Sequence, residues 1–185
     1  MPAPSSPRRL GLRDGRAVTL RAVDAADGAE IVQAFERLSS DSRYNRFMQH
    51  KKQLDPAALE RGVHPRPGRD FVLLATIPAA DGIDIVGAAQ YVRANENNAK
   101  ACEFAITVSE DWRGSGLSAE LLASLLRQAP DDGYVMMEGS VLAENVPMLA
   151  LARKLGFQID PVPEDITVVR VWHALESGTP PALGT

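Results

Sequence analysis

Hydrophobic and polar positions change period several times along the chain, and each change marks an element. After the turn signal Asp14-Gly15, residues 17–23 (AVTLRAV) read as a first strand. Ile31, Val32, Phe35 and Leu38 then recur at helical spacing behind Asp24 or Asp27, either of which can cap a helix. Residues 39–52, SSDSRYNRFMQHKK, open with capping residues and set Arg43, Arg46, Lys51 and Lys52 around Tyr44 and Phe47. They read as a solvated turn or short helix with two aromatics in the core, or as one wall of a cleft. Asp55-Pro56 starts another short helix to about residue 63, and the Pro- and Gly-containing run 64–69 is a loop. Residues 71–77 and 83–92 are strands joined by a short connection, hence an antiparallel hairpin. A second turn at 95–98 leads into a strand where Phe104, Ile106 and Val108 point one way and Glu103, Ala105 and Thr107 the other. Three neighbouring strands thus follow one another without a helix.

The next stretch is the centre of the pattern. A polar turn is followed by Arg113-Gly114-Ser115-Gly116-Leu117-Ser118, and Leu117, Leu121, Leu122, Leu125 and Leu126 then recur at helical spacing. This helix ends near 128–130. Gly133 precedes a strand over 134–141, Asn145 caps and Gly156 stops a helix over 147–155, and 166–175 alternates as a final strand. Residues 1–12, rich in Pro, Ser and Arg, are expected to be disordered and 176–185 to be a flexible tail. One domain over 13–175 remains, with no internal repeat.

Composition narrows the classes. With 45% apolar and 24% charged residues over 185 positions, the chain can build one ordinary core. A net charge of -4 and a pI near 5.4 argue against nucleic acid as partner. Cys102 is the single cysteine, so no internal disulfide can form, and with it the three scattered histidines offer no zinc spacing. No apolar run is long enough for a signal or a membrane helix. The expectation is a cytoplasmic domain with no membrane association and no metal.

A strand entering a glycine-containing loop that opens a helix leaves main-chain N–H groups unpaired at the positive end of the helix dipole. Such a turn suits a phosphate. Gly114 and Gly116 allow close approach, and Arg113 adds a fixed positive charge.

The order strand, helix pair, antiparallel strands, strand–RGSGLS–helix, strand, helix ending in LGF, strand resembles the GCN5-related N-acetyltransferase (GNAT) family over about 16–175. Arg113, Gly116 and Ser118 fall on that family's acyl-CoA loop, Arg/Gln-x-x-Gly-x-Gly/Ala, with a conservative departure at the last position. Asn145 and Gly156-Phe157 match the ends of its late helix. LSSDSRYNRF, CEFAITV and ENVPMLALARKLGF are similar to the acetyltransferase domains of bacterial Pat-type protein-lysine acetyltransferases.

The resemblance implies an α/β (α+β) fold with a mixed, mostly antiparallel central sheet flanked by helices. It implies acetyl-CoA as cosubstrate and an amine acceptor, a protein lysine or a small molecule. The amides of Arg113, Gly114, Ser115, Gly116, Leu117 and Ser118 would hold the CoA diphosphate, the strand backbone at Ile106–Val108 would pair with the pantetheine arm, and Asn145 would contact that arm while capping its helix. The glutamate matching Glu103 is implicated as general base in the Pat type; its alternative is a solvated charge on a half-exposed strand, with Glu138 as fallback base. The tyrosine that many members carry seven residues after the Asn is replaced here by Ala152. A homodimer through the late strands stays open.

Two other readings compete. A non-catalytic acyl-CoA-binding regulatory domain would share the fold. Gly114 to Ala119 also satisfies G-x-G-x-x-A, with Glu138 22 residues beyond Gly116, which imitates a dinucleotide fingerprint. The three consecutive strands over 71–108 argue against that fold, which needs repeated strand–helix–strand units.

Overall fold

Turns of two or so residues force successive strands to pair antiparallel, and the chain uses them to build most of one sheet. The computed structural model describes residues 6–47 and 53–176. It runs β1 (Arg8–Gly11), β2 (Ala17–Ala22), α1 (Gly28–Arg37), α2 (Ser40–Phe47) and α3 (Pro56–Val63). The meander β3 (Phe71–Ala79), β4 (Gly82–Asn95) and β5 (Asn98–Val108) follows. Then come α4 (Leu117–Gln128), β6 (Met136–Leu142), α5 (Val146–Lys154), β7 (Gln158–Pro161) and β8 (Val168–Ala174). The sheet order is β1-β2-β3-β4-β5-β6-β8-β7, antiparallel throughout except at β5–β6. This is the mixed, mostly antiparallel sheet with flanking helices that the family resemblance implies.

Each face is sealed by a different set of helices. Leu117, Leu121, Leu122 and Leu125 of α4 are fully buried against Leu73, Ala89, Tyr91, Cys102 and Phe104, with α5 beside them. Each such leucine contributes roughly 1.5–3 kcal/mol relative to exposure. On the other face a smaller cluster of Val72, Leu74 and Ile85 packs on Ile31 and Ala34 of α1. Asp24 starts that segment: its side chain accepts from Ala26 N at 2.8 Å, and Asp27 returns the bond from Asp24 N at 2.7 Å. Arg21 clamps Asp27 at 2.7 Å and holds its carboxyl below the usual range. α2 lies over the Glu103 face of β5.

Three sequence expectations change. Residues 8–11, expected to be disordered, form β1, because pairing from Arg8↔Leu20 to Gly11↔Ala17 satisfies their main chain against β2. Strand β7 was not foreseen: three of its four residues are exposed, so no apolar alternation marks it. The final strand starts later than expected, since Ile166 is 90% exposed and precedes the ladder. Residues 1–5, the tail from 177, and Lys51 and Lys52 with the side chain of Phe47 lie outside the described residues. Among the described residues no helix is long and apolar enough to cross a membrane.

The feature that positions the site is the parting of β5 from β6. They pair only through Ala101↔Met136, Cys102↔Met137 and Glu103↔Glu138. Beyond that point β5 continues to Val108 and β6 to Leu142 without meeting. Ser109 N–H donates to Val86 O on the β4 side at 2.9 Å, while Lys100 O accepts from Val135 N on the β6 side at 2.9 Å. Strand alternation therefore turns the main-chain groups of Phe104, Ile106 and Val108 toward the open side. The Phe104 ring lies across Gly139 at the fork: a methyl group at Gly139 would sit 2.8 Å from it. Gly139→Ala should therefore cost about 1–3 kcal/mol, the usual scale of overpacking. The urea midpoint measures this, and a smaller residue at 104 in the same chain should recover part of the loss.

Candidate active site

The fork opens into one cleft of about 1380 Å³. Glu103, Ile106, Val108, the run from Arg113 to Ser118, and Asn145 all line it, whereas Glu138, named from sequence as fallback base, is not among its lining residues. Sequence-distant groups are thus brought together by the parting of two strands.

The loop before α4 is built by its own short contacts. Glu110–Trp112 forms a 3-10 turn whose Trp112 is buried, with the Arg16 guanidinium 3.9 Å above its ring. Ser115 is buried as well: its Oγ donates to Trp112 O at 2.5 Å and accepts from Leu117 N at 3.3 Å. Ser115 and Leu117 therefore shape the turn, and the Leu117 side chain belongs to the core. Gly114 and Gly116 have φ of 73° and 90°, the left-handed region where a side chain is strained. Gly116 is the N-cap of α4 and brings no side-chain acceptor. Among the described residues the amides of Ser118 and Ala119 have no protein acceptor either. The positive end of α4 thus faces the cleft with free N–H groups.

Two arginines flank this loop. Arg113 donates to Ser42 Oγ and stands 3.9 Å from Glu110, so its guanidinium is engaged by α2 and the 3-10 turn. Arg13, between β1 and β2, was not singled out from sequence. Its Nε and Nη2 donate to Gly114 O at 3.3 and 3.2 Å, and it lines the cleft next to Gly116. Only the fold brings residues 101 apart together here.

At the other end lies Glu103, register partner of Glu138. Its side chain reaches the cleft, yet the walls strip part of its water. This partial burial raises its carboxyl above the usual range, Glu138 raises it further, and Arg46 of α2 opposes them. Glu138 is committed elsewhere: Arg170 of β8 donates to it at 2.7 Å. Tyr44 and Arg46, from the segment that sequence left between core and cleft wall, line the cleft. Asn145 accepts from Met148 N at 3.3 Å as the cap of α5, which leaves its amide hydrogens free to donate.

Cys102 faces the core beside Glu103, and burial pushes its thiol up to about 12, which removes it as a nucleophile. Ala152, at the position of the missing tyrosine, is fully buried. Among the described residues no group of His, Cys, Asp and Glu could hold a metal ion.

Comparison with known proteins agrees with this geometry. A family model described as an acetyltransferase (GNAT) domain matches residues 17–158. An acetyltransferase of Pseudomonas aeruginosa is 30% identical over 158 residues, covering 85% of this chain and 84% of its own. The acetyltransferase Pat of Mycolicibacterium smegmatis is 29% identical over 151 residues, which are 82% of this chain but 44% of that protein. The solved GNAT domain of S. lividans PAT superposes with a TM-score of 0.83 at 23% identity, covering 91% of this chain and 97% of that one. Forked strands, an uncapped helix start and a family match across most of the sheet come together in one conclusion: this chain belongs to the GNAT family of acetyltransferases.

Proposed function

We propose that this acetyltransferase uses Glu103 as general base to let a lysine side chain of a protein attack acetyl-CoA directly. The observation that carries the reading is the convergence of three things in one cleft: the open β5 edge, the free amides of α4 and the Glu103 carboxyl. GNAT enzymes take their acetyl group from acetyl-CoA, and an amine accepts it. The residues present fit that donor. The amides of Gly114, Gly116, Ser118 and Ala119 suit its diphosphate, with Arg13 adding charge from the β1–β2 turn. The edge groups of Phe104, Ile106 and Val108 suit its amide-bearing arm, and the free Asn145 amide can donate to it. The donor supplies an activated acyl group on a sulfur that leaves readily, since an ordinary thiol has a pKa near ~8.5.

An amine of pKa ~10.4 is neutral in only about 1 part in 2,500 at pH 7, a handicap of roughly 4.6 kcal/mol. Glu103 removes the proton, directly or through a water, and its raised pKa makes it a stronger base than a solvated glutamate. Val108 N–H, turned to the open side, donates to the thioester oxygen as negative charge gathers there. With Ala152 buried, no acid stands at that position, and a thiolate needs little help to leave. The lysine assignment rests on the likeness of residues 38–47, 102–108 and 144–157 to the Pat type.

Thiol release from acetyl-CoA with a panel of lysine peptides and small amines tests the reading. Binding of CoA without turnover on any amine would leave only a sensor. Glu103→Gln should lower turnover by about 10²–10⁴-fold with acetyl-CoA affinity nearly unchanged. Glu103 works only when ionised, so its raised pKa puts the acid limb of the kcat profile above the ordinary glutamate range. Glu138→Gln removes one cause of that rise and should move the limb to lower pH. Gly116→Val should weaken CoA binding about tenfold or more by calorimetry, because the left-handed φ of 90° strains a branched residue by about 1–3 kcal/mol.

A further inference from the structure

Helix α2 has eight residues, too short to be stable without tertiary support. It nevertheless carries Tyr44 and Arg46 into the cleft beside Glu103. Arg43 ties it to α1, donating to Glu36 O at 3.1 Å and lying 4.4 Å above the Phe35 ring. Its N-terminal end is tied to something else. Glu110 Oε1 accepts from Ser39 N at 2.9 Å and from Ser42 Oγ at 2.6 Å. Ser42, 6% exposed, also receives Arg113 from the loop before α4, and Ser39 Oγ accepts from Ser42 N at 3.1 Å. A carboxylate at the positive end of α2 is favourably placed. Partial burial would push Glu110 up, but the bonds from Ser42 and Ser39 outweigh it and hold its pKa at about 2. It is therefore ionised throughout the neutral range.

Glu110 and Arg113 belong to the segment that leads into the free amides of α4. Ser42 belongs to α2, the wall over Glu103, and Ser39 immediately precedes that helix. We infer that Glu110 is a positioning residue: it ties α2 to the donor loop, so that the loop receiving the CoA diphosphate also sets the wall on the acceptor side. The inference rests on the donor reading above. It gives the enzyme a physical link between the two substrates, because stiffening the loop stiffens α2 through Ser42 and Ser39. Coupling of this kind is reciprocal, so an ordered α2 favours the donor in turn.

Amide hydrogen exchange over residues 40–47 of the full chain, with and without CoA, tests the tie. In Glu110→Gln, exchange of α2 should be about tenfold faster than in the wild-type protein. CoA should slow it in the wild type and fail to do so in the variant. Ser42→Ala, which keeps every charge, should show the same loss of CoA-dependent protection. Unchanged α2 exchange in Glu110→Gln would overturn the inference, as would equal protection by CoA in variant and wild type. The thermal midpoint separates both results from general unfolding. Wild-type protein that shows no CoA binding by calorimetry would sink the donor reading instead, and ligand-free exchange of α2 would still decide whether Glu110 holds it.

Discussion

The molecule depends on a ladder that stops early. Main-chain N–H and C=O groups inside a sheet are normally paired, and leaving them unmet in a buried place costs about 1–3 kcal/mol each. Beyond Glu103 and Glu138, β5 and β6 decline that pairing. The interruption is supported from both faces: α4 and α5 pack below it, and α2 stands above. Phe104 occupies the fork because Gly139 has no side chain to resist it. The result is a sheet that carries a strand's worth of hydrogen-bonding capacity into a solvent-filled cleft. A thioester carrier with amides along its arm can take the place of the absent strand.

Charge is distributed to match that opening. The loop end presents the dipole of α4 and Arg13, suited to an anion. The far end sets the Glu103 carboxyl in the cleft, with Glu138 on the adjacent strand behind it in the hold of Arg170. These two acids differ because their partners differ. Arg170 donates to Glu138 at 2.7 Å, and Glu138 on the neighbouring strand helps to raise the carboxyl of Glu103. Equal residue types on neighbouring strands thus meet different surroundings: Glu103 lines the cleft, and Glu138 is held by Arg170.

Much of this was legible in the chain itself. The leucine spacing of α4, the Asp55 and Asn145 caps and the left-handed Gly156 fix element ends by local chemistry, and the structure repeats them. The site was legible where its parts are contiguous, as in the run from Arg113 to Ser118. It was illegible where parts meet only through the sheet. Nothing near Arg13 announces a loop one hundred residues away, and Arg8–Gly11 has too little apolar pattern to read as a strand without β2. The engagement of Arg113 by Ser42 and Glu110 was hidden for the same reason: one partner lies 71 residues distant. Residues 39–47 read ambiguously because the helix is both packed and cleft-facing, so both readings describe a part of it.

Ala152 is fully buried and belongs to the main core cluster. A phenol grafted there would meet Leu and Phe side chains before it met water. A larger side chain at 152 would therefore have to fit into the core, whereas Ala150, Leu151 and Lys154 of the same helix already line the cleft.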